Sequence, residues 1–148
     1  MERLTAKTHL QIASKLKSLK DKIENGTMVV IDPSSKSMGY CVTVDGKIDQ
    51  NGVIKTTKAT IGERLRDLFE QVSQLPQADV VIIEFVRTGT GHQYLVWSVG
   101  VAAAAANSSI TIEIPTSMWS KYKDSEYYKS DAMDAKYMAK CVLQIIKD

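Results

Sequence analysis

Four carboxylates stand where the burial pattern of the chain would not put them. Asp32 closes the apolar run Met28-Val29-Val30-Ile31, and Glu84 lies between Ile83 and Phe85 in the most apolar stretch of the sequence. Asp131 and Asp134 are three residues apart, so they share one face of the helix expected there. Singly, each has an ordinary explanation. Asp32-Pro33 can start a turn, Ser130 or Asp131 can cap a helix and meet its dipole, and Glu84 can belong to a buried ion pair. Together they are costly, because adjacent parallel strands ending in carboxylates and facing two more would repel in a low-dielectric pocket. Cations make such a cluster tolerable. All-oxygen ligands select Mg2+, with Mn2+ able to substitute, over zinc. Two such ions roughly 3.5–4 Å apart suit in-line attack of water on a phosphodiester, one activating the water and the other stabilising the leaving 3′ oxygen.

Other chemistries find little support. No serine–histidine or cysteine–histidine arrangement is legible. His9 falls in an N-terminal helix and reads as a surface residue, while His92 follows Glu84 in a loop without a partner that spacing identifies. Gly89–Gly91 is too short for a phosphate-binding loop and lacks its Lys-Ser/Thr. Cys41 and Cys141 lie far apart among apolar residues, as buried free thiols in a reducing interior do. An acidic site repels phosphates, so a nucleic-acid substrate needs basic residues around it. Lys36 after the first acidic strand, Arg87 after the second, and Lys121 and Lys123 before Asp131 are the candidates for DNA contact. Each could equally be a solvated surface charge. The same two readings stay open for Lys15, Lys17, Lys20 and Lys22.

Hydrophobic periodicity supplies the elements that position these residues. Residues 3–25 read as one helix with an Ile12, Leu16, Leu19, Ile23 stripe, stopped by Asn25-Gly26. Met28–Ile31, Met38–Val44 and Ile48–Lys55 read as strands, the last two joined by a tight Asp45-Gly46 turn. Ile61–Val72 is helical in spacing, Asp79–Phe85 is a buried parallel strand, and Tyr94–Ala106 is a helix rich in small residues. Thr111–Ile114 is a short strand closed by Pro115, and Ser130–Lys147 is a final amphipathic helix. The order predicts an α/β fold: an antiparallel three-strand meander plus parallel strands in one mixed central sheet, with helices on both faces. The expected division is an N-terminal helical extension over 1–26 and a nuclease domain over 27–148.

At 148 residues one domain is the natural expectation, with enough chain for a core. A formal net charge of +2 excludes neither an acidic nor a neutral partner. No apolar run approaches the roughly 20 residues that span a bilayer. The Lys-rich N-terminus lacks a secretory apolar core, so an intracellular, cytoplasmic location without membrane association is expected.

Four segments, in order, resemble the motifs of the RuvC-type Holliday junction resolvases of the ribonuclease-H-like superfamily. Ile31-Asp32-Pro33-Ser34-Ser35-Lys36-Ser37-Met38-Gly39-Tyr40 resembles the first-strand motif, and Ile83-Glu84 the second acidic motif. Val99-Gly100-Val101-Ala102 resembles the small-residue helix, and Ser130-Asp131-Ala132-Met133-Asp134-Ala135 the closing Asp-x-x-Asp-Ala. The resemblance spans 28–147. It implies a ribonuclease-H-like fold and Mg2+, two ions per site, on Asp32, Glu84, Asp131 and Asp134. It also implies a homodimer whose two sites nick a four-way DNA junction symmetrically during recombination and repair. Departures are Ser34 for the family's glycine, Arg87 where bacterial relatives carry an aromatic, a segment between Trp119 and Asp131 shorter by about one helix, and the extra N-terminal helix. A compact, divergent form of this kind would suit a phage or organelle enzyme, acting in the host cytoplasm if phage-encoded. Other nucleases of the superfamily, including YqgF-type RNA-processing proteins, and a catalytically silent nucleic-acid-binding module are the alternatives.

Overall fold

The computed structural model describes residues 2–85, 93–106, 108 and 110–148, so Arg87, His92 and the glycine-bearing loop lie outside the described residues. Strands β1 (Thr27–Asp32), β2 (Ser37–Val44) and β3 (Lys47–Lys55) form the antiparallel meander. Its β2–β3 turn is built by Asp45 and Gly46, with φ of 52° and 77°. Both central residues of a tight hairpin turn need that left-handed conformation, which Asp-Gly tolerates best. Strands β4 (Val80–Phe85) and β5 (Thr111–Pro115) add in parallel, giving the five-stranded order β3-β2-β1-β4-β5. The mixed sheet with helices on both faces is therefore present as expected.

Period-two alternation divides the core into two layers. Val29, Ile31, Val81 and Ile83 face α3 (Ile61–Ser73) and α4 (Gln93–Ala105), where they pack with Leu68, Val72, Ala102 and Ala105. Met28, Val30, Val80 and Ile82 face α6 (Asp131–Lys147) and pack with Tyr137, Met138 and Val142. Burying each such aliphatic side chain contributes roughly 1.5–3 kcal/mol. Continuing the alternation by one step puts Asp32 and Glu84 on the α6 side of the sheet, beyond the last apolar rung.

Two local features differ from the sequence expectation. The N-terminal helix breaks at Leu19 into α1 (Glu2–Ser18) and α2 (Lys20–Glu24), with Leu19 N donating to Leu16 O at 3.0 Å, a tightened i−3 bond. Leu16 and Ile23 both have no exposed surface and join the α6-side core. Residues after Pro115, for which no element was expected, form α5 (Thr116–Trp119) and a 3-10 turn over Ser120–Tyr122. Four residues are too few to show a helical period, although Met118 and Trp119 are buried. Among the described residues, no helix is long and apolar enough to cross a membrane.

Candidate active site

Asp32 is the last residue of β1 and Glu84 the penultimate residue of β4. These strands are parallel neighbours in a register that pairs Ile31 with Ile83, so the next residues along, Asp32 and Glu84, emerge side by side. Asp32 is only 8% exposed. Burial, then the charges of Glu84, Asp134 and Asp131, push its pKa up to about 8. The charges of the three other carboxylates thus all act on Asp32, and among the described residues no hydrogen-bond donor engages its carboxylate. Glu84 is also pushed up by burial, and by Asp134, against hydrogen bonds from Trp119 and Thr116 and the charge of Lys123.

The other two acids are brought in by the first turn of α6, which lies directly on the meander. Gly39 of β2 makes that approach possible: a Cβ there would come within 1.8 Å of the Asp131 carbonyl oxygen. Asn51 of β3 clamps the same turn, donating from Nδ2 to the carbonyls of Tyr40 (2.9 Å) and Ala132 (2.8 Å). Ser130 is the residue that caps α6, its hydroxyl accepting from Met133 N at 3.1 Å. The Asp131 carboxylate is thereby free of the capping role that spacing alone allowed it.

Neutral donors hold three of the carboxylates. Ser37 Oγ donates to Asp131 Oδ2 at 2.5 Å, Tyr127 Oη to Asp134 Oδ1 at 2.5 Å, and Trp119 Nε1 to Glu84 Oε2 at 2.8 Å. In this arrangement, among the described residues, no three His, Cys, Asp or Glu side chains converge tightly enough to hold an ion. The donor set still fits a hard divalent cation. It is all oxygen, and Asp32 is a buried acid without a donor whose ionisation its three neighbours oppose. Ser37, Thr116, Trp119, Tyr127 and Asn51 were not singled out from the sequence, because their partners are defined by the folded chain.

The basic candidates separate. Lys36 is exposed and immediately precedes Ser37, with its carbonyl anchored by Thr56 N at 3.0 Å. Lys123 lies at the acids, its Nζ 5.2 Å from the Trp119 ring centroid and 4.6 Å from that of Tyr127. Lys121 does not join them. It lines a groove with His9, Lys17, Met118, Ile145 and Asp148, and its charge acts on Cys141. Cys141 is ten residues along α6 from Asp131, roughly 15 Å of helix. His9 makes a contact that the sequence did not suggest, Nε2 to Ser117 Oγ at 3.0 Å.

No family model matches the chain, and no curated protein does. Among solved structures, Thermus thermophilus RuvC is similar at a TM-score of 0.58 and 15% identity, over 81% of this chain and 93% of that one. The T. thermophilus RuvC complex with a Holliday junction substrate gives a TM-score of 0.57 and 16% identity, over 80% and 93%. At such identities the likeness is one of fold. It bears out the mixed-sheet architecture read from the sequence.

Proposed function

We propose that this chain is a divalent-metal-dependent endonuclease that hydrolyses phosphodiester bonds in four-way DNA junctions. The observation that carries the reading is Asp32: a buried carboxylate at a strand end, facing three further carboxylates, in a fold like that of RuvC. Asp32, Glu84, Asp131 and Asp134 would hold Mg2+, two ions per site, with Mn2+ able to substitute. When bound, such ions supply a water nucleophile at neutral pH and charge stabilisation for the leaving oxygen.

The residues of the chain have separable tasks. Asp32 gives up its proton to become a ligand, so ion binding and deprotonation at this carboxylate are coupled. Ser37, Trp119 and Tyr127 would orient the other acids, which must still draw together to hold an ion. Lys36, Arg87 and Lys123 hold the DNA backbone without reading its sequence, while Lys121 would reach DNA only some distance from the cut. The solved RuvC complex with a Holliday junction substrate supports branched DNA as the partner. A homodimer fits the outer side of α4, where Tyr94 and Trp97 are 47% and 50% exposed and the exposed Gly100 and Ala104 continue the line.

The test is cleavage of labelled four-way junction, linear duplex, flap and RNA–DNA hybrid, with Mg2+ and with EDTA. Symmetric Mg2+-dependent nicks confined to the junction are expected. Preferential cleavage of the hybrid or of structured RNA would move the chain to another nuclease class, and binding without cleavage would make it a silent module.

A further inference from the structure

Lys123 occupies a more specific position than a phosphate-contacting surface lysine needs. Its ammonium is within cation–π range of two rings at once, Trp119 at 5.2 Å and Tyr127 at 4.6 Å. Each ring turns its polar edge to a different carboxylate of the cluster: the Trp119 indole N–H to Glu84, and the Tyr127 hydroxyl to Asp134. Tyr127 is itself braced by Tyr137, edge to face at 5.2 Å. A cation on the face of a ring draws electron density from its edge and makes the edge N–H or O–H a stronger donor. A carboxylate at the edge returns the favour by making the face more negative. The arrangement is a charge relay in the electrostatic sense, with Lys123 at its centre and two acids at its ends. Among the described residues Lys123 has no salt bridge to any carboxylate, so its charge acts on the acids through the rings and through space.

We propose that Lys123 is the resident counter-cation of the acid cluster, holding Glu84 and Asp134 through Trp119 and Tyr127 and opposing the divalent ion for which it stands in. The idea rests on the metal-site reading above and adds to it a threshold for ion loading set by one side chain. It has an unusual sign. A residue that only braces the site should, when removed, weaken both the ion-free fold and ion binding. A counter-cation should, when removed, weaken the ion-free fold but strengthen ion binding, because the incoming ion no longer meets a fixed positive charge.

The experiment compares the full chain with Lys123→Met, which keeps the reach and loses the charge, and with Lys123→Arg, which keeps the charge. Mg2+ and Mn2+ binding is measured by titration calorimetry, and melting is followed in EDTA. Fluorescence in a Trp97→Phe background reports on Trp119 at Glu84. The expected result for Lys123→Met is ion binding at least about threefold tighter, melting a few degrees lower without ions, and altered Trp119 emission, with Lys123→Arg near the parent. Unchanged or weaker ion binding in a folded Lys123→Met chain overturns the proposal. If the parent binds neither ion, the metal-site reading falls, and so does opposition to a divalent ion. The EDTA melts then decide what is left: equal melting of Lys123→Met and the parent removes the counter-cation role as well.

Discussion

Replacing Asp32 by Asn should make the ion-free protein more stable at pH 8, through a gain that grows with pH. The magnitude follows from linkage. An ordinary Asp titrates at 3.8, and Asp32 in the fold is pushed up to about 8. A native pKa above the unfolded one means that the fold binds the proton more tightly. Its stabilising effect is complete below the unfolded pKa and is lost as pH rises through the folded one. At about 1.36 kcal/mol per unit, the loss amounts to roughly 2 kcal/mol by pH 5 and roughly 5 kcal/mol by pH 8. Asn cannot ionise, so it escapes this loss. It also brings an amide that lacks the partners of a carboxyl, an offset of about 1–3 kcal/mol that does not vary with pH. The slope, not the absolute gain, is therefore the signature. Melts of Asp32→Asn and parent in EDTA should separate by about 3 kcal/mol more at pH 8 than at pH 5, or roughly 6–12 °C for a chain of this size. Added Mg2+ should close the gap by stabilising the parent alone. A difference between the two proteins that is the same at pH 5 and pH 8 would refute the argument, because Asp32 would then ionise as it does in water.

Glu84→Gln, Asp131→Asn and Asp134→Asn should each cut junction cleavage by about 100-fold or more while leaving junction binding in gel shifts intact; near-normal turnover in two of them would end the metal assignment. Gly39→Ala should destabilise the fold by several kcal/mol in urea melts, since its Cβ would overlap the Asp131 backbone; wild-type stability would mean that α6 is not seated on β2. Ala104→Glu, on the exposed side of α4, should yield monomers in light scattering; a parent that is already monomeric and resolves junctions would remove the dimer.

The sheet and the four acids were legible for the same reason. A strand buried on both faces is written as an uninterrupted apolar run, so an acid inside or at the end of one is conspicuous. The β1 and β4 runs each carry one, and Asp131 and Asp134 follow a helix N-cap signal that the structure assigns to Ser130. What holds the acids was not legible. Trp119 is 35 residues from Glu84 and Ser37 is 94 from Asp131, and neither spacing means anything until the sheet order brings β1, β2 and β4 together. The break at Leu19 was hidden by a 4, 3, 4 apolar stripe that continues across it. A one-residue kink preserves that stripe because Leu16 and Ile23 still point to the same core.

Lys121 and Lys123 show how far a two-residue spacing can mislead. As a pair in an irregular segment they invite a single role, yet the backbone changes state between them. The 3-10 turn ends at Tyr122, and Lys123 is extended at φ −60°, ψ 131°. Lys121 therefore stays with the last turn and faces the α1 side of α6, beside His9 and Lys17. Lys123 is carried away from it onto the rings that hold Glu84 and Asp134. The physical origin lies in the packing of α5. Met118 and Trp119 are both buried, and once Trp119 has delivered its N–H to Glu84 the chain must leave along the edge of the acid cluster. A positive charge at position 123 then acts on Glu84, whereas the charge at 121 acts on Cys141. That difference separates the two lysines: under the reading proposed above, Lys123 would tune ion loading, and Lys121 would touch DNA only at a distance from the acids.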